Sequence, residues 1–263
     1  MKIIDCDRIM FYGLSKLSFD ELNIADPIAM ELGVCTGNNA QHIYEALNPR
    51  IIYLIDTWNA EVITKSYYPF DPPPPWVDSL DNELYKRYYG GDLKKQETWE
   101  VLYKRVEDIF RGKKAKIIRQ DSLNAHYELK KKLNGEKINF LYIDGNHQFE
   151  YVYYDLVMYS KFADENAIIQ LNDCCFSIKG ARQNLGVLEA CTKFIKSTDW
   201  RPVAINLRDF SDIIMVNKKS HMYHIVNRII EESTFPFIEV PDELLAASKI
   251  QVNKNNVISM SFI

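Results

Sequence analysis

Short apolar runs rich in β-branched residues recur along the 263-residue chain, and between them apolar residues fall at helical spacing. Residues 27–32 read as a first strand, and residues 39–47 as a short helix closed by Asn48-Pro49. Residues 51–55 form a second run without polar alternation, the pattern of a strand buried on both faces. Residues 116–119, 138–143 and 167–171 supply three more. Phe149, Val152, Tyr153, Leu156, Val157 and Ser160 keep a 3.6-residue period, as do Val187, Leu188, Cys191, Phe194 and Ile195, so helices follow the fourth and fifth strands. Such alternation predicts a parallel sheet with right-handed crossovers. Residues 201–207 and 212–216 break the rhythm. Their link, Arg208 to Ser211, is too short for a crossover helix, so the two runs pair antiparallel. The expected fold is α/β: a Rossmann-like seven-stranded sheet of five parallel strands plus a C-terminal antiparallel hairpin, with helices on both faces.

The core of this pattern spans residues 27–217. Residues 1–26 precede it. Residues 57–97 interrupt it with a polar, aromatic-rich insertion whose prolines 72–75 predict an extended spacer. Residues 98–110 return to a helical pattern, with Trp99, Leu102, Val106 and Ile109 on one side. Residues 218–263 form a tail that opens with a helix around His221–Glu232. The segment from Tyr67 to Trp76, with Tyr85, Tyr88 and Tyr89, suits either a lid over a ring-bearing ligand or a contact between subunits of a homo-oligomer.

Composition narrows the class. With 47% apolar residues the chain can bury a full core. A balance of 32 basic against 36 acidic residues gives no electrostatic reason to bind nucleic acid or an anionic membrane. No apolar stretch reaches a membrane-spanning length. Five cysteines, two of them adjacent and none in Cys-x-x-Cys spacing, fit a reducing cytoplasm.

The chemistry-bearing residues gather at the ends of the predicted strands. Gly33 and Gly37 follow the first, where one glycine lets the chain turn out of the strand and the other lets backbone approach a ligand. Cys35 stands where a dinucleotide fingerprint has its middle glycine, and no third glycine follows. Asp56 ends the second strand and is placed to accept hydrogen bonds from ribose hydroxyls. Asp121 and Ser122 follow the third strand, near an adenine or as a helix cap. Asp144 follows the fourth strand and Asn172-Asp173 the fifth; three oxygen ligands on adjacent strand ends suit a hard cation such as Mg²⁺. His147, three residues past Asp144, has the ordinary pKa of a general base at neutral pH.

Glu31-x-Gly-x-x-x-Gly37, Asp56-Thr-Trp58, Gln120-Asp-Ser122, the terminal hairpin and the run from Tyr142 through Asp144-Gly-Asn-His147 to Asp155 resemble the class I S-adenosylmethionine-dependent methyltransferases. Within that class the chain is similar to the macrocin-type sugar O-methyltransferases and cephalosporin-hydroxylase-like proteins. The resemblance covers roughly residues 27–217 and implies S-adenosylmethionine held by Glu31, Gly33, Thr36, Gly37, Asp56, Trp58, Asp121 and Ser122. It implies a divalent cation on Asp144, Asp173 and Asn172, and His147 with Asp144 as the catalytic pair. The activity implied is O-methylation of a small hydroxylated metabolite, a sugar or sugar-bearing compound. An NAD(P)-dependent oxidoreductase is the alternative, opposed by the hairpin and the missing glycine. A non-catalytic cofactor-binding protein is another, opposed by the Asp144, His147 and Asp173 set.

Overall fold

The computed structural model describes residues 1–67, 82–174, 176–177, 186–252 and 258–262. The proline run and nearly all of the segment from Tyr67 to Trp76 lie outside the described residues. Strands β1 (Lys2–Ile4), β2 (Ile28–Leu32), β3 (Ile51–Asp56), β4 (Ala115–Arg119), β5 (Ile138–Ile143) and β6 (Ala163–Leu171) are followed by β7 (Phe176–Ser177), β8 (Trp200–Asn206), β9 (Ile213–Asn217), β10 (Phe237–Glu239), β11 (Ser248–Val252) and β12 (Ile258–Phe262). The helices are α1 (Arg8–Glu21), α2 (Asn38–Leu47), α3 (Ala60–Tyr67), α4 (Asn82–Tyr89), α5 (Gln96–Ile109), α6 (Ser122–Leu133), α7 (Phe149–Tyr159), α8 (Val187–Ser197) and α9 (His221–Glu232).

The main sheet runs β10-β1-β8-β9-β6-β5-β2-β3-β4. Strands β2 to β6 are mutually parallel, and β9 lies antiparallel between β6 and β8. The five parallel strands and the closing hairpin are therefore as the sequence predicts. The strand count is not: among the described residues nine strands replace seven, because β1 pairs with β8 and β10 with β1. Both added strands are three residues long, too short for a period. Moreover Lys2, which reads as polar, is 1% exposed. Its Nζ donates to Asn227 Oδ1 at 2.7 Å and lies 3.0 Å from Glu231, so the buried charge is paired. Strands β7, β11 and β12 form a separate small sheet.

Strand periodicity divides the core in two. Met30 and Leu32, Tyr53 and Ile55, Leu141 and Ile143 face the layer of α6, α7 and α8. Ala29, Ile52, Leu54, Phe140 and Tyr142 face the layer of α1, α2, α5 and α9. Strand order reverses between β2 and β5, whose neighbours diverge on either side, and ligands of open α/β sheets bind at such a switch point.

Two backbone features fix the loops there. Gly33 has φ +87°, and a Cβ on it would stand 1.9 Å from the Asp144 carbonyl oxygen. Asp144 N–H donates to Leu32 O at 2.7 Å, so the turn after β5 is seated on the end of β2. Beneath that turn Asp155 of α7 is 1% exposed, and its Oδ1 has no hydrogen-bond partner. Burial pushes its carboxyl pKa up to about 7, against a smaller opposing effect of a hydrogen bond from Ser122.

Gly33→Ala is expected to lose at least about 2 kcal/mol of stability in denaturant unfolding, since both the left-handed φ and the close approach forbid a side chain; wild-type stability would contradict that packing. The raised pKa of Asp155 means that the folded state holds a proton the unfolded chain has released, between about pH 4 and pH 7. Stability from this group is full below that window and lost as pH rises through it, by a few kcal/mol (roughly). Asp155→Asn should flatten that part of the stability profile; identical pH dependence in both proteins would refute it.

Candidate active site

The loop after β2 is shaped by Asp56. Its Oδ2 accepts from Cys35 N–H at 2.8 Å and its Oδ1 from Trp58 N–H at 3.1 Å. The carboxylate expected at a ribose thus also ties the glycine loop to the end of β3. Burial raises its pKa, opposed by these backbone donors. Trp58 is completely buried, donates from Nε1 to Cys35 O at 2.9 Å, and packs on Tyr103. Trp58 therefore supports the loop from behind. Gly37 likewise backs onto a helix: a Cβ there would meet Val106 at 3.0 Å, and φ is +80°. Its N–H donates to Val34 O, so the glycine serves the turn and the packing of α5. Thr36 in the same loop is half-buried. The Cys35 thiol is pushed well above its ordinary pKa by burial and then by Asp56, Asp144 and Glu31, which leaves it unreactive.

Glu31 is fully buried at the end of β2. Asn39 Nδ2 donates to its Oε1 at 2.8 Å, and the Tyr12 hydroxyl donates to Asn39 Oδ1 at 2.6 Å. Oε2 has no partner. Burial, then Asp144 and Asp56, hold the carboxyl well above the usual range, with Asn39 opposing. A buried carboxylate oxygen left unpaired costs about 1–3 kcal/mol or more. A ligand ammonium is the group that would offset it, and this is the feature by which the pocket fits S-adenosylmethionine.

Asp121 caps α6, accepting from Asn124 N–H at 3.1 Å, which favours the helix-cap alternative. It also lines a cavity of about 520 Å³ with Thr57, Asn59, Arg119 and Gln120, next to Asp56 and large enough for a nucleoside. Ser122 is turned the other way: its hydroxyl bonds Asp155 and its carbonyl accepts from Tyr159.

The turn after β5 gathers the remaining residues. His147 Nε2 lies 3.1 Å from Asp144 Oδ1, and Nδ1 lies 3.8 Å from Asp173 Oδ2. Asn172 Nδ2 donates to Asp144 Oδ1 at 2.9 Å. Burial alone would lower the imidazole pKa, but Asp173 and Asp144 more than offset it and the net direction is upward. Asn172 Oδ1 and His147 Nδ1 are buried without hydrogen-bond partners. Asp144, Asn172, Asp173 and His147 therefore do converge. Among the described residues no three His, Cys, Asp or Glu side chains are disposed to hold a metal ion. The orphaned Asn172 carbonyl beside two carboxylates is nonetheless an all-oxygen set, the donor chemistry of a hard cation.

Several residues at this edge have contacts that their sequence positions do not announce. Arg8 Nη1 donates to the Tyr142 hydroxyl at 3.2 Å, and that hydroxyl donates to Asp212 Oδ2 at 2.9 Å. Gln170 Nε2 donates to the same oxygen at 2.7 Å. Tyr142 and Gln170 hide within apolar strands, and Arg8 and Asp212 meet only through the fold. Tyr88 of α4 is 67% exposed, and its hydroxyl is within electrostatic reach of Cys35, Asp144 and Asp173.

A protein-family model described as a methyltransferase domain matches residues 30–174, more than half of the chain. Among solved structures, an O-methyltransferase from Bacillus cereus in complex with SAH is similar at TM-score 0.52 and 9% identity, over 81% of this chain and 83% of that one. The O-methyltransferase TomG from Streptomyces achromogenes, solved with SAM, follows at TM-score 0.48 and 10% identity, over 81% and 91%. No curated protein matches by sequence. Strand order, switch-point site and family match agree: the chain belongs to the methyltransferase-domain family and has the fold of the class I S-adenosylmethionine-dependent O-methyltransferases.

Proposed function

We propose that the protein is a cytoplasmic O-methyltransferase that uses S-adenosylmethionine to methylate a small hydroxylated metabolite, a sugar or a sugar-bearing compound. What carries this reading is His147, set between Asp144 and Asp173 on a turn seated directly against the glycine loop. An electrophilic sulfonium methyl is the cofactor's contribution. The protein must hold it, align an acceptor oxygen and remove that oxygen's proton. Glu31 offers Oε2 to an ammonium, and Asp56 holds the loop 33–37 in its binding shape. Asp121 lies on the nucleoside side through the cavity it lines, and Ser122 behind it is bonded to Asp155.

His147 is the base. With Nε2 donating to Asp144, Nδ1 is the atom that takes the hydroxyl proton, and Asp173 stabilises the imidazolium that results. Asp144, Asp173 and Asn172 would hold Mg²⁺, which when bound lowers the pKa of the acceptor hydroxyl. Residues 27–217 form the methyltransferase domain of this reading, with 57–97 as an insertion in it and Tyr88 offering its exposed ring at the rim. Sugar faces stack on such rings. Residues 1–26 and the tail from 218 onward add β1 and β10 to the same sheet.

Asp144→Ala and His147→Ala are expected to keep S-adenosylmethionine affinity within a few-fold in calorimetry. Turnover with a hydroxylated sugar acceptor should fall by roughly 10²–10⁴. Normal turnover in His147→Ala would remove it as the base. Asp56→Ala should weaken cofactor binding about 10- to 100-fold, the worth of a lost charge-assisted hydrogen bond; unchanged affinity would contradict its role.

A further inference from the structure

Among the described residues, Arg8 is a cation of the site that no role yet explains. It stands at the start of α1, before the residues that the family model matches, and its side chain is only 20% exposed. A guanidinium offers five N–H donors in a planar fork. Among the described residues two are used at hydrogen-bond distance: Nη1 to the Tyr142 hydroxyl at 3.2 Å and Nη2 to Asp209 O at 2.6 Å. The nearest carboxylate atom, Asp212 Oδ1, lies 3.9 Å from Nε, beyond hydrogen-bond range, and that oxygen is itself without a partner. So a partly buried cation keeps donors to spare.

Its position is set from two sides. Tyr142, its hydroxyl partner, sits in β5 directly opposite Glu31 in the β2–β5 register. Tyr12, one turn along α1 from Arg8, packs edge-on against Tyr142 and holds Asn39, which holds Glu31. The charge of Arg8 is felt at Glu31, Asp144 and His147. The segment that Arg8 clamps is also strained: Asp209, Phe210 and Ser211 have φ of +52°, +66° and +65°, none of them glycine. Three consecutive left-handed residues persist only where surrounding contacts over-determine them. The Arg8 backbone N–H to Asp209 Oδ2 and the Nη2 bond to Asp209 O are such contacts.

Glu31 and Arg8 thus present an unpaired buried anion and an under-used cation from adjoining elements at the switch point. That is the complement of an α-amino acid, whose ammonium and carboxylate are attached to one carbon. We propose that Arg8 binds the carboxylate of the methionine moiety of the cofactor, opposite Glu31, which takes its ammonium. This rests on the S-adenosylmethionine reading of the site. A fork-to-carboxylate contact supplies two parallel charge-assisted bonds, which lysine cannot reproduce. Arg8 also offsets one of the negative charges around the reacting centre, so it helps to fix the tail without repelling the sulfonium from the acids beside it.

Titration calorimetry on the full chain, with S-adenosylmethionine and with its decarboxylated analogue, tests this. The analogue keeps adenosine, sulfonium and ammonium and lacks only the carboxylate. Wild type should bind the complete cofactor about 10- to 100-fold more tightly. Arg8→Gln should lose that preference while binding the analogue as wild type does, and Arg8→Lys should fall between. Equal affinity of wild type for the two ligands would overturn the proposal, and so would a parallel loss of both in Arg8→Gln, which marks a structural role. Preserved discrimination in Arg8→Gln with a raised KM for an acidic acceptor would assign Arg8 to the acceptor and overturn it equally. The wild-type comparison needs no variant, so a variant that fails to fold leaves the test decisive. Binding of neither ligand to wild type would sink the cofactor reading itself, a result distinct from those above.

Discussion

Contact between the ends of β2 and β5 is the constraint on which the site depends. Asp144 donates its backbone N–H to Leu32 O, and the bare Cα of Gly33 lets the Asp144 carbonyl pass where a methyl group would collide. Those two strands are neighbours at the point where the sheet order reverses, so their following loops open a crevice between them. Because they touch at their roots, the loop that would hold a cofactor and the turn that carries His147 cannot move independently. Asp56 extends the same locking to β3 through Cys35 and Trp58. Methyl transfer needs donor carbon and acceptor oxygen in line, and shared strand ends are a way to fix both in one frame.

Around that contact the residues are mostly acidic. Glu31, Asp56, Asp144, Asp173 and Asp212 stand close enough to influence one another or His147, with Arg8 as their main cationic counterweight. Burial raises the pKa of Glu31, Asp56 and Asp212, because it disfavours their charged forms. A ligand that carries positive charge would offset that field. Atoms without partners, Glu31 Oε2, His147 Nδ1 and Asn172 Oδ1, lie along the same crevice. The Cys35 thiol, held protonated by that field, stays out of the chemistry.

The parallel strands were legible because their apolar runs are unbroken, and the turn from Asp144 to His147 because its residue types are dense and specific. The separate roles within the site were less so. Gly37 and Trp58 sit in a motif, and the fold adds packing against Val106 and a bond to the Cys35 carbonyl, which spacing does not reveal. Asp121 resolves toward its cap because Asn124 follows it by three residues. Strand β1 was hidden by Lys2, whose charge is compensated by Asn227 and Glu231 far along the chain. Arg8 was hidden for the same reason: it and Asp209 are 201 residues apart in sequence and meet only once β8 and β9 are laid beside β1. Local patterns encode elements and turns; contacts made by the closed sheet do not appear in them.

The central claim is that the crevice between β2 and β5 binds S-adenosylmethionine. Thermal unfolding of the wild-type protein with S-adenosylmethionine, its demethylated product or NAD at matched concentrations measures this directly. A ligand at 100 times its dissociation constant adds about 2.7 kcal/mol to the folded state, enough to raise Tm by several degrees. Elevation by S-adenosylmethionine and its product, with none from NAD, is the expected result. Elevation by NAD alone would contradict it.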